Sequence, residues 1–194
     1  REAGNEVDLC YYTVDSDGHR RRMINEDVLE DYGLGKLAPI KKRICYDSIS
    51  RYAIKNKIEL IYMRSDHNAN PFTIHFLHKL RKHNIKTVME IPTYPYDKEY
   101  KGFPLKFQIE LSTDRCFRKY LAKKIFRIVT FSEENFIFGA KTIKISNGID
   151  FNQIKLKKVQ KDNSSSFHLI GVAEVHSWHG FDRVIKGIGE YYQH

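Results

Sequence analysis

Cysteine is scarce: the chain of 194 residues holds three, Cys10, Cys45 and Cys116, far apart and odd in number. That excludes a disulfide framework and any C-x-x-C metal ribbon, and a reducing, cytoplasmic home is the expectation. Long apolar runs are missing too, none approaching the roughly 20 residues that a membrane-crossing helix needs. No secretory leader is visible in a chain that starts at Arg1 without Met. Acidic residues are the minority, 24 Asp plus Glu against 33 Lys plus Arg, for a formal charge of +9. Such an excess favours acidic partners such as nucleotides, phosphorylated lipid carriers, anionic bilayers or nucleic acid, without choosing among them. With 41% hydrophobic and 29% charged residues, the composition excludes a disordered chain. The length suffices to bury a core.

Hydrophobic periodicity organises what is present. Residues 7–14 (V-D-L-C-Y-Y-T-V) read as a strand bounded by the turn D-S-D-G-H, and the basic stretch 20–39 as a loop with one helical turn. Cys45, Ile49, Tyr52 and Ala53 share one helical face. A strand over 58–63 follows, then a helix opened by Pro71 with Phe72, Phe76, Leu77 and Leu80 on one side. Residues 85–91 form the next strand, ended by Pro92 and a long loop. Phe117, Tyr120, Leu121 and Ile125 mark a further helix, and 127–132 and 142–146 are strands. Helices alternating with short β-branched strands predict an α/β fold, a parallel sheet with helices on both faces. In such sheets ligands collect at the carboxyl ends of the strands. The lysine- and serine-rich stretch 154–166 reads as a linker. A new strand from Phe167 and a helix from Phe181 then open a second domain. The expected domains are therefore 1–153 and 167–194.

Three segments carry candidate chemistry. Glu90-Ile91-Pro92-Thr93-Tyr94-Pro95-Tyr96-Asp97 leaves the carboxyl end of a strand, where aromatics can stack on sugar faces and carboxylates can accept bonds from hydroxyls. Arg64-Ser65-Asp66-His67 falls on the same rim, making His67 and Glu90 the candidate catalytic residues. Ser146-Asn147-Gly148-Ile149-Asp150 follows a strand and holds a pair suited to a tight turn. Asp15-Ser16-Asp17 has the spacing of a D-x-D metal site, but about 0.7 such spacings arise by chance in this composition. No metal is expected.

The order I-V-T-F-S, then S-N-G-I-D, then G-V-A-E-V-H-S-W-H-G-F-D-R resembles family 4 glycosyltransferases of the two-domain GT-B type. The form of the last motif and the E-I-P-T-Y-P-Y loop look like a subgroup of bacterial capsule and surface-polysaccharide transferases. The resemblance implies two Rossmann-like domains, with the N-terminal one on the acceptor side and the second binding the donor. It implies retaining sugar transfer from a nucleotide-sugar to a polysaccharide or lipid-linked oligosaccharide, without a metal or other cofactor. Glu90, Thr93, Tyr94, Tyr96 and Asp97 would then bind acceptor. Asn147, Gly148, His179, Gly180 and Arg183 would lie at the donor, its diphosphate approached through Gly180 at a helix N-terminus. The family pattern is G-R-L-x-x-x-K-G; here Glu174 stands for the Arg and His179 for the Lys, so His179 or Arg183 would supply the positive charge.

Two family features are expected to lie outside this stretch of sequence: an opening strand–turn–helix before R-E-A-G-N-E-V-D, and an E-x7-E donor motif after His194. A fragment of that kind is expected not to turn over by itself. Arg115, Arg118, Lys119, Lys123, Lys124 and Arg127, together with Arg20, Arg21 and Arg22, are expected to rest on an anionic inner leaflet. Nucleic acid is not expected, because no recognition motif accompanies the charge. Two rival readings stand beside the transferase: a non-catalytic module that binds an acidic partner, and a GT-B-like nucleotide-sugar epimerase.

Overall fold

The computed structural model describes residues 4–64, 69–97, 100, 103–148, 169–171 and 180–192. The chain divides into two compact units, Arg1–Gly148 and Ile149–His194. The first is built on two sheets. One is an antiparallel meander of β1 (Cys10–Val14), β2 (Arg20–Ile24) and β3 (Asp27–Gly33). The basic stretch expected to be a loop is thus two strands followed by helix α1 (Ala38–Ile44). Residues 7–14 contribute an antiparallel strand and not one of the parallel set. The charge-rich alternation hid it: Arg21 and Arg22 find their partners in other segments of the chain. Arg21 pairs with Asp15 at 2.7 Å and Asp31 at 3.0 Å. Arg22 is buried, donating to the Cys45 and Lys42 carbonyls at 2.5 and 2.7 Å with its guanidinium against the Tyr32 and Tyr46 rings. Neither is a free membrane-facing cation. Asp15 is committed to the turn between β1 and β2, accepting from the His19 amide at 2.7 Å.

The second sheet has five strands in the order β4-β5-β6-β8-β7. These are β4 (Leu60–Arg64), β5 (Lys86–Ile91), β6 (Arg127–Thr130), β7 (Phe136–Ile137) and β8 (Ala140–Lys144). All neighbours are parallel except the β7–β8 pair. With α2 (Asp47–Lys55), α3 (Pro71–Lys82) and α4 (Leu105–Ala122) between or before the strands, the unit is an α/β fold of the expected Rossmann-like kind.

Helix α3 shows how the sequence sets an element. The Asn70 side chain accepts from the Phe72 and Thr73 amides at 2.9 and 3.0 Å, Pro71 takes the first helical position, and Asn84 turns left-handed beyond its end. Its buried stripe is Thr73, Phe76, Leu77 and Leu80, at the i, i+3, i+4, i+7 spacing, with Phe72 pointing outward. Thr73 takes the inward place expected for Phe72, because a one-residue rotation keeps Phe76, Leu77 and Leu80 centred.

Ala53 of α2, Phe76, Leu77 and Leu80 of α3 and Leu111 and Leu121 of α4 form one core with Met89, Ile91 and Ile128, flanked by Ile61 and Met63. By register these strand residues share a single face. Val88 and Val129 lie on the other face, buried but outside that core, and their neighbours Leu60, Tyr62 and Ile143 are exposed. Helices on both faces were expected; α2, α3 and α4 all pack on one.

In the second unit the described residues include helix α5 (Phe181–Tyr191), whose apolar residues Val184, Ile185, Ile188 and Tyr191 are exposed. Among the described residues, no helix is long and apolar enough to cross a membrane.

Candidate functional site at the carboxyl ends of the strands

Parallel strands end together, so β4, β5, β6 and β8 deliver Arg64, Glu90, Thr130 and Lys144 to one rim. Arg64 lies directly across from Glu90, and Tyr62 is two residues back on the same face. The Tyr62 hydroxyl donates to Glu90 Oε2 at 2.7 Å, and Arg64 Nε lies 3.7 Å from Oε1. Partial burial, then the bond to Glu90, push the Tyr62 phenol up to about 12, so it stays a proton donor near neutrality. The Glu90 side chain is 15% exposed and that of Arg64 76%. One carboxylate oxygen is therefore bonded to Tyr62, while the other faces the exposed Arg64 guanidinium at a distance longer than a direct hydrogen bond. The half-exposed Tyr62 ring lies on the same open face of the sheet.

The loop after β5 divides the expected acceptor residues. Thr93 is exposed and Tyr94 half-buried, its ring edge against Phe138 at 5.5 Å. Tyr96 is buried, and its hydroxyl donates to Asp114 Oδ2 at 2.6 Å. With its ring covered, Tyr96 belongs to the core and offers no face to a sugar. Asp97 accepts from Arg118 Nη1 at 2.6 Å and Arg115 Nε at 3.1 Å, so this carboxylate fastens the loop to α4. Arg118 also lies over the Phe138 ring at 4.4 Å and 3.9 Å from Asp114. Its guanidinium thus ties the loop, the helix and the β7–β8 turn. A cavity of about 10 Å³, room for one water, lies beside it between Tyr96, Asp114, Met89 and Ile128.

The Arg118 bonds, foremost, hold the Asp97 carboxyl below the usual carboxylate range. Asp31 is lowered to about 2, first by the Gly33 amide and then by Arg21. Both folded pKa values are depressed, so the stabilisation is complete above about pH 4, the unfolded value, and drains away as pH falls towards 2. Acid titration of the circular-dichroism unfolding midpoint should show a fall across that window, and Asp97→Asn should make it shallower. An unchanged profile in that variant would mean that the Asp97 pairs do not persist in solution.

At the end of β8, residues 145–148 are exposed, and the Ile145 amide donates to the Thr130 carbonyl at 3.0 Å. Neither Asn147 nor Gly148 has a positive φ, so the pair does not make the left-handed turn its residue types allow. The two-residue left-handed turn occurs instead at Phe138 (φ 51) and Gly139 (φ 93), joining β7 to β8.

In the second unit, Gly180 stands before α5 with φ 69, and the Arg183 and Val184 amides donate to its carbonyl at 3.1 and 3.2 Å. A Cβ on Gly180 would meet Arg183 Nη2 at 2.8 Å, because that guanidinium folds back over the helix start. The structure thus brings Gly180 and Arg183 together. His179, Glu174 and His67 lie outside the described residues.

Sequence reading missed Tyr62, which alternation had placed only in a strand, and the Asp97–Arg118 tie, which joins residues with no periodic relation. Among the described residues, no group of His, Cys, Asp and Glu is arranged to hold a metal ion. No family model, curated protein or solved structure matches this chain.

Proposed function

We propose that this chain is the acceptor-side part of a GT-B glycosyltransferase of the family 4 kind, joined to the start of its donor domain, with a saccharide site on the Glu90 rim. The parent enzyme would transfer a sugar from a nucleotide-sugar to a polysaccharide or lipid-linked oligosaccharide, probing its acceptor through hydroxyl contacts. The observation that carries the reading is the half-buried Glu90 carboxylate, which ends a central parallel strand between the Tyr62 phenol and the Arg64 guanidinium. A carboxylate set this way accepts bonds from adjacent sugar hydroxyls, a guanidinium donates to ring and hydroxyl oxygens, and a tyrosine ring stacks on the apolar face of a pyranose. Open parallel sheets bind ligands outside their strand ends. In this reading the acceptor set is Tyr62, Arg64, Glu90, Thr93 and Tyr94, with Tyr96 and Asp97 shaping the loop. On the donor side, Gly180 and Arg183 at the start of α5 would meet the diphosphate.

Saturation-transfer NMR of the whole chain against a panel of oligosaccharides tests the reading. Binding is expected with at least one, and Glu90→Gln should weaken it about tenfold, the loss of one hydrogen bond to a charged group. Absence of any saccharide signal, or equal binding by Glu90→Gln, would remove the reading.

A further inference from the structure

The opposite end of the same sheet carries a different chemistry. Each helix runs back along the strand it precedes, so the turns from α2 to β4, α3 to β5 and α4 to β6 gather at the amino ends of the strands. Backbone bonds hold them side by side: Lys86 N donates to the Glu59 carbonyl at 3.0 Å, and Phe126 N to the Thr87 carbonyl at 2.7 Å. Lys55 and Lys57 sit on the first turn, Arg81, Lys82 and Lys86 on the second, and Lys123, Lys124 and Arg127 on the third. Glu59 is the one carboxylate on these three turns, and residues 72–89 and 115–132 contain neither Asp nor Glu.

Helix dipoles favour a cation in each last turn, which accounts for Lys55, Arg81 and Lys82. They do not account for Lys86 and Arg127, which begin strands, nor for the aromatic rings among them. Phe126 is 48% exposed and Tyr120 60%. Lys86 Nζ and the Arg127 guanidinium lie 5.3 and 4.5 Å from the Phe126 ring, and Lys123 Nζ 5.8 Å from that of Tyr120. His78 feels the same field: after desolvation, Lys82 and Lys124 are the largest influences holding its pKa down.

We propose that this rim docks on an anionic lipid bilayer, its lysines and arginines at the phosphates and Phe126 and Tyr120 at headgroup depth. Each Lys or Arg near such a surface adds about 1 kcal/mol, a factor of about five. Aromatic rings favour the same interface. The surface differs from the one the sequence alone drew, because Arg22 and Arg118 are engaged inside the protein and α3 joins α4 in their place. Lys86 and Ile91 are five residues apart on β5, so the saccharide rim would stand roughly 17 Å further from the lipid than the docking rim. The proposal does not depend on the saccharide site.

Co-sedimentation of the full chain with vesicles tests it. Binding is expected to vesicles of equal parts phosphatidylglycerol and phosphatidylcholine and not to phosphatidylcholine alone. Lys123→Gln combined with Lys124→Gln should weaken binding about 25-fold, and Phe126→Ala about fivefold. Lys36→Gln combined with Lys106→Gln removes the same charge from exposed positions off the rim, Lys106 lying in the first turn of α4 at the opposite end of the sheet, and should weaken it less than about twofold. Equal loss in the two double variants, or equal binding to both vesicle types, would overturn the proposal. So would tighter binding to a DNA or RNA oligonucleotide than to the anionic vesicles at the same salt. Thermal unfolding of each variant checks that the fold is retained.

Discussion

Asp114→Ala lowers the stability of the first unit by about 3–5 kcal/mol, the range for removing one partner from a buried charge network. Asp114 is 2% exposed, accepts the Tyr96 hydroxyl at 2.6 Å and lies 3.9 Å from Arg118. Its removal takes the carboxylate acceptor from a buried phenol, whose ionisation burial and that bond already oppose, and one of the two carboxylates beside Arg118. Asp114→Asn keeps an acceptor for Tyr96 and loses only the charge, so about 1 kcal/mol is expected. Urea unfolding separates the two variants. A loss below about 1 kcal/mol for the alanine variant would show that the network does not hold the loop.

Phe138→Ala is expected to cost about 3 kcal/mol, at the lower end for deleting a buried phenyl group because the ring is half-buried. The ring receives Arg118 at 4.4 Å and the edges of Tyr94 and Tyr96 at 5.5 and 6.0 Å. The residue also has φ 51, a conformation that a bulky side chain adopts at a cost of about 1 kcal/mol or more. Packing at the tip of the β7–β8 turn therefore outweighs backbone strain. Phe138→Gly loses the same ring but sheds that strain, so it should be no less stable than Phe138→Ala, reversing the usual order of these residues. Thermal melts of the pair decide it: a glycine variant clearly less stable than the alanine one would mean that the turn relaxes once the ring is gone.

Much of the parallel sheet was legible because its signals are local. Pro71 and Asn70 start α3, the run from Thr87 to Ile91 is buried as a central strand must be, and Ile128 and Val129 repeat it. The meander was not legible, since Arg20, Arg21 and Arg22 look like a solvated run until Asp15, Asp31 and the Cys45 carbonyl are brought across from other segments. Glu90 and Thr93 could be named as candidates from their place after a strand. Tyr62 became part of the site only when β4 was laid beside β5. For Tyr96 and Asp97 the aromatic-acidic loop pattern pointed outward, and packing against α4 turned both inward.

The sequence by itself determined the alternation of helices and strands, hence a parallel sheet with a rim of strand ends carrying Glu90. Each of those features follows from periodicity and from capping within a few residues. Tertiary structure alone decided which face of that sheet the helices cover, which tyrosine meets Glu90, and which of the many cations remain free. Those outcomes depend on pairings between residues distant along the chain, where register and burial choose among partners that local sequence leaves equivalent.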